Sequence, residues 1–161
     1  MATTATNKQP LLIDRVFHNA VEGNTLTSGS DTSLDILGTN QSNVLVDCTS
    51  NDGGIVEDLY AISRTGAGAT YKILFYLSSS LDYLRPGEGV YVGQMDSDTT
   101  AGVKVSADLF SILAPVPRVG SDAQSKALYV PKGKALWCTL QLAGPNSTSD
   151  TPIIGAQGGF Y

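Results

Sequence analysis

A single histidine, His18, and two cysteines, Cys48 and Cys138, are all that 161 residues offer as imidazole or thiol. That scarcity excludes several chemistries. A Ser-His-acid hydrolase would need His18 as its base, and no G-x-S-x-G elbow presents a serine to it. A cupin-type metal site needs several imidazoles converging inside a barrel, and the sequence cannot supply them. The segment QMDSDTTAG (94–102) resembles the start of a calcium loop. Counted from Asp96, however, the glycine position holds Ala101 and the bidentate glutamate position holds Ala107. RTGAGAT (64–70) is glycine-rich but lacks the Lys-Ser/Thr ending of a P-loop and the strand-loop-helix setting of a dinucleotide fingerprint. Glu57 and Asp58 are adjacent, so regular strand alternation would point them to opposite faces. His18 reads as a surface or interface residue. No catalytic residue, metal or cofactor is expected.

Charge is also sparse. Charged residues make up 16% of the chain, against about 25% in an ordinary globular domain. The ten basic side chains are scattered, and only Lys132 and Lys134 sit close together. A nucleic-acid binder gathers cations on one face to displace phosphate counterions, so direct nucleic-acid binding is not expected. No run approaches the roughly 20 apolar residues of a membrane-crossing helix. The N-terminal MATTATNKQPLLIDRVFHNA lacks the basic start and long apolar run of a secretory signal. Synthesis in a reducing cytoplasm follows as the expectation, with Cys48 and Cys138 as small buried thiols.

What the sequence does have is short apolar runs set between glycine- and proline-rich turns. The runs are LLIDRVF (11–17), SLDIL (33–37), NVLVDC (43–48), IVEDLYAIS (55–63), YKILFYLS (71–78), GVYVGQ (89–94), GVKVSA (102–107), LFSILAPV (109–116), ALYV (127–130), ALWCTLQL (135–142) and PIIGAQ (152–157). Their period is two: Leu136, Cys138, Leu140 and Leu142 share one face, and Ala135, Trp137, Thr139 and Gln141 the other. Val44, Val46 and Cys48 likewise share a face opposite Leu45 and Asp47. One helical turn could form over 105–112. SNDGG, RPGEG and PKGK supply turn geometry, and Tyr129-Val130, PKGK and 135–142 read as one hairpin. The fold expected is all-β, a single jelly-roll-like β-sandwich over 10–161 behind a flexible N-terminal arm, 1–9.

The non-core strand faces are rich in aromatics: Tyr60, Tyr71, Tyr76, Tyr83, Tyr91, Tyr129 and Trp137. Tyrosine and tryptophan favour places where an apolar body is covered and a polar tip finds a partner. The C-terminal TPIIGAQGGFY adds a nearly uncharged tail. Ile153 and Ile154 could supply an edge strand, leaving Phe160 and Tyr161 as anchors on a neighbouring chain. Phe160, Tyr161 and Trp137 are therefore the candidate interface residues.

Three stretches carry a resemblance: TATNKQPLLIDRVFH, FYLSSSLDYLRPGEGVYVG, and KALYVPKGKALWCTLQL with PIIGAQGGFY. Together they resemble small virion structural proteins of tailed phages, cyanophages in particular, and the jelly-roll-like proteins that decorate or cement icosahedral capsids. The resemblance implies a non-enzymatic protein on the outer capsid surface of a virion. Its partner would be the major capsid protein, and it would self-associate as a dimer or trimer. The alternative is a tail or baseplate-associated β-sandwich that binds carbohydrate or a host receptor, with Trp137 or tyrosines stacking on sugars.

Overall fold

In the computed structural model the described residues are 14–22, 44–64, 70–79, 81, 89–108, 115–117, 126–141 and 151–161. The period-two runs fold as ten strands: β1 (Arg15–Glu22), β2 (Val44–Asp47), β3 (Gly53–Ile62), β4 (Lys72–Ser78), β5 (Val90–Asp96), β6 (Lys104–Ser106), β7 (Pro115–Pro117), β8 (Lys126–Pro131), β9 (Ala135–Gln141) and β10 (Ile153–Phe160). No helix occurs among the described residues. The helical turn considered over 105–112 gives way to β6 at its start, and 109–112 lie outside the described residues. So do the 1–9 arm, SLDIL and most of LFSILAPV.

The chain pairs with itself in nested order. β4 pairs with β5, β3 with β8, β2 with β9 and β1 with β10, all antiparallel. This is one long antiparallel ribbon doubled back on itself. Rolling that ribbon brings β10 against β3 and β9 against β4. Two sheets result, in the orders β1-β10-β3-β8-β7 and β2-β9-β4-β5, with the short β6 on the far half of β3. They are the two layers of a β-sandwich.

Between the sheets lies one apolar core. Leu45, Val46, Phe75, Leu136, Cys138 and Leu140 from one sheet meet Val56, Leu59, Leu128, Val130, Ile154 and Ala156 from the other. Simple alternation misassigns some of these residues because three bulges add a residue to a strand. In β2, Val44 pairs with Trp137 but Val46 pairs with Leu136, so Leu45 is the extra residue. Leu45, Val46 and Cys48 consequently all join the core, while Val44 packs on the other face. In β3, Asp58 faces Gln157 and Val56 faces Gly158, leaving Glu57 as the extra residue. Val56 and Leu59 therefore both point inward, three positions apart. A third register shift sets Val92 into β5 in the same way.

The expected hairpin around PKGK is instead a crossing between sheets. β8 pairs with β3 and β7, and β9 with β2 and β4. What holds this turn is the chain just after β2: Gly133 N donates to Cys48 O at 2.9 Å, and Cys48 N donates to Lys134 O at 2.9 Å. Gly133 takes the positive φ, 78°, that the turn needs. Its partner, Cys48, lies 85 residues away in sequence.

Nor is the C-terminal run an edge strand. β10 lies inside its sheet, with Arg15–Glu22 on one side and Gly54–Ile62 on the other. Glycine is required at one point of that ladder. A Cβ on Gly158 would stand 1.9 Å from Ile55 O and 3.0 Å from the Phe17 ring. Gly158→Ala must push backbone aside within a paired sheet, and overpacking of that kind costs about 1–3 kcal/mol. We expect thermal unfolding to fall by roughly 5–10 °C. Deleting 158–161, which removes ladder from both neighbouring strands, should leave no cooperative transition at the parent temperature. An unchanged melting curve for either variant would contradict the interior placement of β10.

Candidate interaction surface

The three candidate interface residues occupy different places. Trp137 is on the face of β9 turned away from the main core, as alternation places it. Yet it is only 1% exposed. With Leu74, Tyr76 and Ala135 it forms a second apolar cluster, against which Val44 and Tyr91 pack. Tyr76 and Tyr91 meet edge to face, with centroids 5.6 Å apart. The four-stranded sheet is therefore apolar on both faces. Thr139, two residues along the same face, carries a buried hydroxyl with no hydrogen-bond partner. Buried tryptophan is a packing residue here rather than a platform for a ligand.

The tyrosines divide similarly. Tyr71 belongs to the main core and Tyr60 is buried, whereas Tyr91 and Tyr129 are half-buried. Tyr83 lies outside the described residues.

Phe160 and Tyr161 are half-buried and engaged within their own chain. The Phe160 ring lies 4.7 Å from that of Phe17, and the Arg15 guanidinium stands 5.1 Å from its centroid. Tyr161 N donates to Gly53 O at 3.1 Å, and the Tyr161 ring lies 6.3 Å from Tyr129. The segment expected to lie along a neighbour thus closes its own sheet. Ile153, Ile154 and Ala156 serve a strand flanked on both sides, and the adjacent glycines permit close approach of backbone.

Outside the core, the six-stranded sheet carries a small polar array that sequence reading did not assemble. Tyr60 lies flat across β10 over Gly155, where a Cβ would come within 2.2 Å of its ring. Its hydroxyl is hydrogen-bonded to His18 Nε2 at 2.5 Å. Lys104 Nζ stands 4.7 Å from the Tyr60 ring centre and donates to Asp58 Oδ2 at 2.6 Å. His18 therefore tethers a packing tyrosine, in keeping with its surface reading. Asp98, from the calcium-like segment, caps its own turn by accepting from Thr100 N at 2.7 Å. Among the described residues no three His, Cys, Asp or Glu side chains gather in a way that could hold a metal ion.

Among the described residues four large apolar side chains are exposed: Val16 (79%), Val90 (63%), Leu81 (38%) and Val103 (37%). The placement of the first two follows from the sheet order. β1 stacks over β2 across the sandwich, where Asn19 Nδ2 donates to Leu45 O at 2.9 Å. β5 lies at the opposite end of the sheet that β2 begins. Val16 on β1 and Val90 on β5 consequently mark opposite flanks.

Compared with protein-family models, curated proteins and solved structures, the chain matches none.

Both cysteines are free and buried. Burial pushes the Cys48 thiol from its ordinary 9.0 up to about 11, helped by the negative charge of Asp47, and pushes Cys138 upward as well. The unfolded chain ionises near 9, before the folded one. Stability is therefore intact below pH 9 and falls as pH rises towards 11, by up to about 1.4 kcal/mol per pH unit for each thiol. Urea titrations at pH 8, 9 and 10 should show this decline, and Cys48→Ala and Cys138→Ala should each make it shallower. Parallel slopes in parent and variants would mean that the thiols ionise equally in both states.

Proposed function

We propose that the chain is a non-enzymatic structural subunit of a tailed-phage virion, placed on the outer capsid surface, where it decorates and bridges the major capsid protein. The observation that carries this reading is the exposure of apolar side chains on two opposite flanks of one sandwich, Val16 on one and Val90 on the other. A rigid body with an apolar contact on each flank is suited to spanning two neighbours. Weak contacts of that kind gain strength when repeated over a shell, because each binding event raises the effective concentration of the next.

The nested ribbon supports a finer reading of the fold. With β6 and β7 set aside as additions, the remaining eight strands take the orders β1-β10-β3-β8 and β2-β9-β4-β5. This order favours a jelly-roll reading of the sandwich, an architecture that viral capsid and lectin domains share. The resemblance in 4–18, 75–93, 126–142 and 152–161 favours the capsid branch of that pair. The lectin branch would need an aromatic platform, and Trp137, its foremost candidate, is 1% exposed.

The test is co-sedimentation of the purified protein with empty shells of the encoding phage, together with its copy number in virions. We expect saturable binding to shells, many copies per head and no hits on a glycan array. A few copies per particle confined to the tail, or glycan binding without shell binding, would overturn the capsid reading in favour of the tail-associated alternative.

A further inference from the structure

The four edges of the two sheets are not equally protected. β7 is three residues long and contains Pro115 and Pro117, which cannot donate to a further strand. β2 is four residues long and bulged, and β5, though seven residues long, is broken by its own bulge at Val92. β1 is different. It has eight residues, its register with β10 is unbroken, and it carries neither proline nor lysine. Six of its eight residues are exposed. These include Asn19, whose side chain is on the inner face with Phe17 and Val21, so among the described residues nothing covers the edge itself. A long, regular, open edge presents a row of backbone donors and acceptors to another strand.

We propose that β1 pairs antiparallel with β1 of a second copy, joining two six-stranded sheets across a two-fold axis. This deepens the assembly reading above, on which it rests for the reason such an edge is kept open. The register follows from parity and charge. For the inner face of one copy to continue as the inner face of the other, paired positions must sum to an even number, since faces alternate along a strand. Of the registers giving nearly full overlap, a sum of 36 sets Asp14 opposite Glu22 of the second copy, like charge against like, which destabilises a cross-strand pair. A sum of 38 avoids this. It places Phe17 opposite Val21 on the inner face, extending the core across the axis. On the outer face it sets Val16 opposite Glu22 and His18 opposite Ala20, with His18 diagonal to the Glu22 carboxylate. Asn19 sits on the axis. Exposed Val16 is covered, and no two like charges are directly opposed, Asp14 standing only diagonal to Glu22 of the second copy.

The register can be read by cross-linking. Directly opposed residues bring their Cβ atoms to about 4.5–5.5 Å, and diagonal ones only to about 7–8 Å, against the roughly 3.5–4.5 Å a disulfide spans. Val16 and Glu22 of one chain are about 20 Å apart along the strand, so they cannot bridge internally. Cys48 and Cys138 are 0% exposed and do not compete. All the substituted positions are exposed on the outer face, so folding should be retained, and thermal melts check this. The full-length parent should run as a dimer by light scattering at tens of micromolar. Under mild oxidation V16C/E22C should give a covalent dimer, whereas V16C/A20C, which matches the sum of 36, and V16C alone should not. A monomeric parent would overturn the proposal, as would V16C/A20C cross-linking faster than V16C/E22C. The two readings fail separately. A dimer that ignores shells leaves this interface standing and removes the capsid reading, and a monomer that binds shells does the reverse.

Discussion

The fold depends on the last strand passing between the first and the third. β10 is paired on both sides over its whole length, and without it β1 would lose its only strand partner among the described residues. The passage is close enough that Gly158 has no room for a Cβ beside Ile55 O. Contacts with high sequence separation follow from this single placement: Phe17 on Phe160, Asp14 N to Phe160 O at 2.8 Å, Tyr161 N to Gly53 O. Loop closure of that length costs entropy that local contacts do not repay. The nested pairing spreads the cost. Once β4 and β5 are zipped, each further pair closes a loop already shortened by the pair inside it, and β1 with β10 comes last.

The same order explains why the tail looked misplaced. A terminus with one charge in 27 residues, Asp150, has a composition that termini seldom show. Its described strands, β9 and β10, have that composition because each is paired on both sides. From sequence alone an interior strand and a docking segment look alike: both are apolar, glycine-bearing and uncharged. Only pairing distinguishes them, and for β10 the partners lie from 91 to 145 positions away.

Strand identity was legible in the described runs, because each is a short apolar stretch set between turn residues and none has a helical period. Faces were legible only where the strand is unbulged. In β9, Leu136, Cys138 and Leu140 point to the core as alternation requires. In β2 and β3 one extra residue reversed the reading past Leu45 and Glu57. A bulge leaves no period of its own, so composition could not reveal it. Exposure was less legible than facing. Trp137 does point away from the core, but burial depends on what covers a face, and the sequence of one strand does not contain that. The His18–Tyr60–Lys104–Asp58 array was invisible for a related reason, since its members come from β1, β3 and β6 and meet only because Gly155 lets Tyr60 cross the strand between them.

Low charge can now be understood as a property of the faces rather than of the surface alone. A sandwich with one core needs apolar residues on two of four faces. This one has a second apolar cluster outside its four-stranded sheet, so three of the four carry them. Charges in the described residues form pairs, among them the exposed Arg64 with Glu22 and Lys132 with Asp52, and Lys104 of β6 with the half-buried Asp58 of β3. Exposed pairs of this kind contribute little, at most about 1 kcal/mol each. Stability therefore rests on packing and on the backbone ladder. On β1 the charges are confined to the ends, Arg15 beside Val16 and Glu22 at the far end, and on β5 Asp96 stands at the end opposite Val90.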